Sequence, residues 1–556
     1  MMMNLETLPE NWDLIVVGGG ITGAGIFRVA VRMNLQVLLV EQKDFAWGTS
    51  SRSSKLVHGG LRYLKEGRFI LTRDSVRERE RLLQEAPGLV EPLGFLVPVY
   101  KGRGPGKWVL EAGLSIYDLI AHKRQHKFYS PSEFLKLAPH IDQKELVGGF
   151  HFFDAQVDDA RLVLRLISEA VQFGGCALNY TVVTQINRNS KGEVIGIQME
   201  DAETHVEKTL STRTVINATG TWAEILHPSP EPNLHLRPLR GSHLIFPSRV
   251  LPIDQAISFM HPSDNRALFV IPWEGVVLVG TTDLDHREDL SVEPTITKEE
   301  VLYLIEGLNA LFPAFDISIK DCISTFSGVR PVLSKGDRAP SEESREHVVW
   351  QDKGLVTITG GKLTTFHKLA IDALKVAKPF LPPAKFPDDN GPVFSPVPEL
   401  PEKSYGLSPD RWRNLYGRYG ESANELVRMA ASKDLTKIPG TRTLWAELPF
   451  TAKHEQVRHL TDLLLRRVRI GVLTPHGGKA HLHRVRKLCR PVLHWSRKRW
   501  RQEVHMYLSQ WKYAHALPEG LSEDFLERKF PFVKTFQEFL TAYARKLFSK
   551  VRFGKP

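Results

Sequence analysis

Residues 13–41, DLIVVGGGITGAGIFRVAVRMNLQVLLVE, hold the succession of elements that decides the fold. Asp13 to Val17 is a short apolar run suited to a strand, and Gly18, Gly20 and Gly23 then complete a G-x-G-x-x-G turn. Ala24 to Arg32 suits a helix, and a second strand, Gln36 to Val40, ends in Glu41. The glycines permit a tight turn and let backbone N–H groups approach a pyrophosphate at the positive end of the helix. An acid at the end of the second strand is placed to accept hydrogen bonds from a ribose. A glycine turn by itself says little, but strand, turn, helix, strand and acid in order predict a dinucleotide-binding unit. The motif does not separate NAD from FAD.

Working outward, two more strands end in small residues: Thr214 to Ala218 runs into TGTWA (219–223), and Gly354 to Thr359 runs into GGKLTT (360–365). Ligands of parallel α/β sheets bind at the carboxyl ends of strands, so these turns and the first would converge on one long cofactor. Between them the texture changes to short apolar runs at 239–246, 267–272 and 276–279. The last two are separated by Trp273-Glu274-Gly275, which suits a hairpin in an inserted antiparallel sheet. Beyond Phe380 a proline-rich stretch leads to a section with helical periodicity, including 425–432 and 454–467.

A chain of 556 residues exceeds a single core, because domains usually stop growing near ~250 residues. Three distant cysteines (Cys176, Cys322, Cys489) supply neither a disulfide framework nor a CxxC metal spacing, so no metal site is expected. Residues 1–13 carry three acids and no base, which does not read as an export signal. The longest uncharged run, Leu14 to Phe27, contains five glycines and is too short to span a bilayer. Charge is uneven: residues 463–502 hold twelve Lys or Arg and no acid, so without them the net +11 becomes 11 − 12 = −1.

Eight ordered segments make the chain recognisable: GGGITGAG (18–25), TSSRSSKLVHGGLRYL (49–64), DDARLV (158–163), NATGTWA (217–223), RGSH (240–243), FVIPWEG with GTTD (269–275, 280–283), SGVRP (327–331) and GGKLTT (360–365). With them the chain resembles the FAD-dependent glycerol-3-phosphate dehydrogenases, within the wider glycine-oxidase-like flavoproteins. The resemblance is close over roughly 10–375 and loose beyond. It implies an α/β Rossmann-like FAD-binding domain (10–95, 150–230 and 340–380) with an inserted antiparallel-sheet substrate domain of α+β type (96–149 and 231–339). A proline-rich linker (381–402) and a helical, basic C-terminal domain (403–556) would follow. It also implies FAD as cofactor and electron transfer from glycerol 3-phosphate to a membrane quinone.

Oxidising a secondary alcohol requires a base for the hydroxyl proton and a hydride acceptor, and a phosphorylated substrate requires permanent positive charge. By resemblance, Arg62, Tyr63, Arg330 and Lys362 line the substrate cavity, with Arg345 as a further candidate. His243 is the preferred base and His58 its competitor; Arg330 or Lys362 would stabilise the developing alkoxide. The FAD contacts carried across are Gly18, Gly20, Gly23, Glu41, Thr49, Ser50, Ser54, Gly220, Trp222, Gly361, Lys362, Leu363 and Thr364. Two departures stand out: Phe366-His367-Lys368 replaces the family's usual Tyr-Arg-Lys, and Thr221 stands where proline is common.

The basic stretch 463–502, interleaved with Trp495 and Trp500 and followed by Trp511, is read first as a surface for anionic lipid with the indoles at headgroup level. A solvated helix face comes second, and nucleic acid or a protein partner last. The expected setting is the cytoplasmic, inner face of the membrane. Rival readings are an oxygen-using glycerol-3-phosphate oxidase, a flavoprotein oxidase of another small substrate, and a non-catalytic flavin-fold tethering protein. The electron acceptor, covalent or non-covalent FAD, and the oligomeric state, a homodimer included, stay open at this stage.

Overall fold

The computed structural model describes residues 5–65, 67–229, 235–315, 317–334, 346–388 and 391–521, without the side chains of Arg62 and Lys65. The opening motif forms as expected: strand Leu14–Val17, helix Ile21–Arg32 and strand Val37–Val40. Leu14–Val17 is the hub of a six-stranded sheet and pairs in parallel with Val37–Val40 on one side and Val215–Asn217 on the other. Leu355–Gly360 extends the sheet in parallel beyond Val215–Asn217. The three strands whose ends carry the glycine-rich turns are therefore neighbours, and their carboxyl ends share one edge. Their apolar, almost wholly buried character suits a sheet covered on both faces.

One face of this sheet is covered by helices Ile21–Arg32, Asp159–Gln172 and Phe366–Ala377. The other packs Ile15, Val17, Leu38 and Val40 against a three-stranded antiparallel sheet through Val194, Ile197, Met199 and Leu210. A separate large sheet contains ten strands among the described residues. Its long members are Val90–Tyr100, Leu146–Val157, His235–Pro247 and Ser324–Ser334. Its hairpin turns at Glu274 and Gly275, both at positive φ, as the Trp273-Glu274-Gly275 spacing predicts. Val90–Tyr100 and Leu146–Val157 run through positions 95/96 and 149/150, where the sequence suggested boundaries. They pair continuously from Val90↔Val157 to Val99↔Gly148, so the ladder does not divide there.

The C-terminal section is helical, but its basic start is not a surface. Arg466, Arg467 and Arg469 are 2%, 0% and 3% exposed. Arg467 donates to both carboxylate oxygens of the buried Asp44, and Arg466 donates to Asp44 and Asp462. Arg469 donates to Asp158 and Asp159, and Arg161 to Glu455. Burial pushes the Asp44 carboxyl upward, but Arg467 and Arg466 outweigh it and hold the carboxyl below its ordinary range. Trp495, Trp500 and Trp511 are buried in the core that joins this section to the large sheet. The expectation that these indoles lie at lipid headgroups is thereby corrected: an apolar ring with a core to fill gains more there than at an interface. The 454–467 periodicity also breaks. The helix ends at His454, Gln456 takes positive φ, and a new turn starts at Leu460, which lets Glu455 face Arg161.

Removing one member of a buried ion pair leaves the other charge uncompensated, at about 3–5 kcal/mol. Asp44→Ala is therefore expected to lower the chemical-denaturation midpoint clearly, whereas Lys512→Ala, which breaks an exposed pair with Glu519, leaves the midpoint unchanged.

Candidate active site

The glycine turn is packed too closely for side chains. A Cβ on Gly23 would lie 1.9 Å from the Gly18 carbonyl oxygen, and one on Gly18, at φ +110°, would lie 2.6 Å from that of Ala218. Gly20 precedes the helix and faces Ser50, whose hydroxyl oxygen accepts the Ile21 N–H at 2.9 Å. The half-buried Glu41 stands at the end of the second strand and accepts from the backbone N–H groups of Gly19 (2.7 Å) and Lys43 (2.9 Å). Gly220 accepts from the Thr359 hydroxyl at 3.0 Å, and Trp222 leans on Trp47 with centroids 6.2 Å apart. Gly361, Lys362, Leu363 and Thr364 follow the third strand end and lead into helix Phe366–Ala377. The loop 47–54 crosses from this edge to the large sheet. Thr49 donates to the Val329 carbonyl, and Arg52 backs onto Gly328.

At that junction stands His243, in mid-strand and 3% exposed. Its ring stacks on Phe326 at 4.6 Å and 12°, and Nε2 lies 2.9 Å from the Ser54 hydroxyl. Nδ1 is buried with no hydrogen-bond partner. Burial first, then the charges of Lys55 and Arg330, push the imidazole down to about 3, so it is neutral at any working pH. Lys55 is itself buried, donates to Asp159 and Ser51, and is lowered to about 8, chiefly by desolvation.

A second cluster forms around Lys362. Its Nζ sits 3.7 Å from the centroid of the buried Tyr63 ring and donates to Ser75 Oγ at 2.8 Å. His58 lies against the same tyrosine, with centroids 6.3 Å apart. The loop carrying His58 is pinned by Asp154, which accepts from the Gly59 N–H at 3.1 Å, from Arg79 at 2.7 Å and from the Tyr117 hydroxyl at 2.8 Å. Arg330 lies 3.2 Å from Asp283, which also meets Arg266 at 3.0 Å. Arg62 occupies the short helix Leu61–Lys65, and Arg345 lies outside the described residues. Lys55, Asp159, Ser75 and Asp154 were missed by sequence reasoning. The first two fall inside quoted segments, TSSRSSKLVHGGLRYL and DDARLV, but only the fold places Lys55 beside His243 and Asp159 against Lys55. His367, the family departure, is buried and its Nδ1 meets Arg81.

Comparison with known proteins agrees with this geometry. Residues 13–366 match the family described as FAD dependent oxidoreductase, and residues 397–500 match the C-terminal domain of alpha-glycerophosphate oxidase. The aerobic glycerol-3-phosphate dehydrogenase of Staphylococcus haemolyticus is 35% identical over 498 residues, 84% of this chain and 89% of that protein. That of Staphylococcus aureus is 32% identical over 490 residues, 82% of this chain and 86% of that protein. The chain belongs to the aerobic glycerol-3-phosphate dehydrogenase family of FAD-dependent oxidoreductases. Among solved structures, the glycerol-3-phosphate dehydrogenase from Bacillus halodurans complexed with FAD superposes with a TM-score of 0.69 at 26% identity, covering 91% of this chain and 96% of that one. The FAD-bound L-alpha-glycerophosphate oxidase from Mycoplasma pneumoniae shares the fold, with a TM-score of 0.56 at 20% identity over 70% of this chain and the whole of that one.

FAD is the cofactor of this family, and the residues here fit it. The cradle leaves room for backbone rather than side chains, Glu41 keeps further lone pairs beside the turn, and the buried Nδ1 of His243 is an orphaned polar atom at the junction of the two sheets. Gly23→Ala forces a Cβ into the Gly18 carbonyl; the purified variant is expected to carry little or no flavin, as read from its visible absorption against that of the unaltered protein.

Proposed function

We propose that this enzyme oxidises sn-glycerol 3-phosphate to dihydroxyacetone phosphate and delivers the electrons to a membrane quinone. The observation that carries the reading is a buried neutral imidazole flanked by fixed cations, in a chain 35% identical to an aerobic glycerol-3-phosphate dehydrogenase. Arg330 and Lys362 hold the phosphate, with Arg62 and Arg345 included on sequence grounds, and Tyr63 shapes the wall beside Lys362. A guanidinium suits this task because it stays ionised and binds phosphate bidentately. His243 takes the proton of the substrate hydroxyl, and a neighbouring cation stabilises the oxygen as that proton leaves. FAD, when bound, supplies the two-electron acceptor for the carbon-bound hydrogen. Burial is the main cause of the depression of His243, and the substrate phosphate offsets the lesser one, the charges of Lys55 and Arg330, which makes the base stronger where it is needed.

Gly18, Gly20, Gly23, Thr49 and Ser50 are assigned to the pyrophosphate and Glu41 to the ribose. Gly220 and Trp222 are assigned to the adenine side. The backbone N–H groups of Gly361, Lys362, Leu363 and Thr364 are assigned to the flavin ring, where the following helix favours negative charge.

Quinone is preferred to oxygen because of a surface that a water-soluble acceptor would not require. Helix Lys107–Ala121 buries Leu114 and Tyr117 but exposes Trp108 (78%), Val109 (67%) and Leu119 (74%), and Ile70 on the adjacent helix is 71% exposed. Exposed Lys101, Arg103, Lys123 and Arg124 flank it. An apolar stripe rimmed by cations suits the interface of an anionic bilayer. It supports peripheral attachment at the inner face of the membrane. No helix among the described residues is long and apolar enough to cross a membrane.

Anaerobic addition of glycerol 3-phosphate is expected to bleach the oxidised-flavin band; a band that persists removes this substrate. Arg330→Ala loses a charged hydrogen bond of about 1.5–3 kcal/mol, so the Michaelis constant should rise on the order of ten- to hundredfold. Vesicles containing phosphatidylglycerol should retain the enzyme in flotation. Trp108→Asp with Leu119→Asp should weaken that retention more than tenfold, since each side chain contributes about 1.5–3 kcal/mol on burial.

A further inference from the structure

His243 is clamped. Across the sheet it faces Phe326 in one neighbouring strand and Gly280 in the other. Phe326 lies parallel to the ring, and a Cβ on Gly280 would be 2.4 Å from His243 Cδ2. The imidazole therefore cannot swing, and its chemistry is decided by which nitrogen carries the hydrogen. Nε2 meets Ser54 Oγ at 2.9 Å, while Nδ1 is buried and unpartnered.

The serine is held from both sides. Its predecessor Ser53 donates to Asp159 through its backbone N–H (2.9 Å) and its hydroxyl (2.7 Å). Its successor Lys55 donates to both oxygens of the same carboxylate, at 2.9 and 2.8 Å. Asp159 is completely buried and is also engaged by Arg469. Asp159 thus holds the residues on either side of Ser54 and fixes the backbone from which its hydroxyl reaches the imidazole. The charged groups facing His243 are Lys55, balanced by Asp159, and Arg330, balanced by Asp283.

We propose that Ser54 is a positioning residue for His243, confining the imidazole lone pair to Nδ1 by taking the Nε2 hydrogen into a hydrogen bond. The alternative tautomer would bury an N–H with no acceptor, which folded proteins avoid more strictly than an under-used acceptor. The proposal rests on the function given above and names the atom that serves it. The substrate O–H bond breaks and its proton forms an N–H bond at Nδ1, which the substrate reaches only by displacing what covers that nitrogen in the ligand-free chain; the resulting imidazolium keeps its Nε2–H on Ser54. The hydroxyl touches none of the reacting atoms; it decides which nitrogen does.

The test compares holoenzyme carrying Ser54→Ala or Ser54→Thr with the unaltered protein. For Ser54→Ala the rate of flavin reduction at saturating glycerol 3-phosphate should fall about ten- to hundredfold, part of the ~10²–10⁴ that general base catalysis supplies. The dissociation constant of the substrate should stay within twofold. Ser54→Thr, which keeps a hydroxyl, should restore most of the rate. In oxidised holoenzyme, nitrogen-15 spectra of labelled histidine should show the His243 ring, identified by its absence in His243→Asn, as the Nε2–H tautomer, becoming a mixture in Ser54→Ala.

An unchanged rate in Ser54→Ala would overturn the proposal, as would an Nδ1–H tautomer in the unaltered protein. If Ser54→Ala loses its flavin, Ser54→Cys is measured instead, and loss in both marks Ser54 as a cofactor contact only. Failure of glycerol 3-phosphate to reduce the unaltered flavin is a different outcome: it removes the functional reading, and the nitrogen-15 result then decides the tautomer alone.

Discussion

Asp44 is a carboxylate with no access to water, and two guanidiniums from more than four hundred residues away hold it. Around it run Asp462, Glu455, Arg161, Asp158, Asp159 and Arg469, all buried. Charges in such a place are tolerated only when every member is paired, since desolvation costs several kcal/mol per ion. The seam consequently fixes how the helical C-terminal section sits on the dinucleotide unit. Through Asp159 it also reaches Lys55 and the loop that carries Ser54 toward His243. The organisation of the site depends on this ionic seam more than on any single core.

Much of the fold was legible because it rests on local rules. A parallel strand buried on both faces reads as an apolar run, and a turn that must admit a phosphate reads as glycine. That is why the three strand ends at Val17, Asn217 and Gly360 could be found one by one, and why their adjacency followed from topology. Helix periodicity beyond residue 400 was less reliable, because Glu455 turns inward for an ion pair and interrupts the pattern at Gln456.

The arginines at 466, 467 and 469 show where composition misleads. A run of basic residues without acids looks like a surface when each residue is weighed against its chain neighbours. Their partners lie at 44, 158, 159 and 455, and nothing in a linear reading links those positions. The three tryptophans were misjudged for the same reason. In the site, residue types were legible and relations were not: histidine, arginine and lysine could be named as candidates. The clamp on the imidazole, the lysine beneath it and the serine beside it belong to contacts between a loop at 54 and strands near 243 and 326.

The seam also bears on how the protein comes to exist. Asp44 and Arg466 are separated by 422 residues, which at ~5–20 residues per second is on the order of 20–80 s of synthesis. Throughout that interval the nascent dinucleotide unit holds Asp44, Asp158 and Asp159 without the guanidiniums that later neutralise them. The loop at 49–55 can reach Asp159 through Ser53 and Lys55 before then, but Asp44 has no guanidinium until the arginines leave the ribosome. The start of the chain waits for its far end, and a chain truncated before residue 466 would leave Asp44 without the guanidiniums that neutralise it.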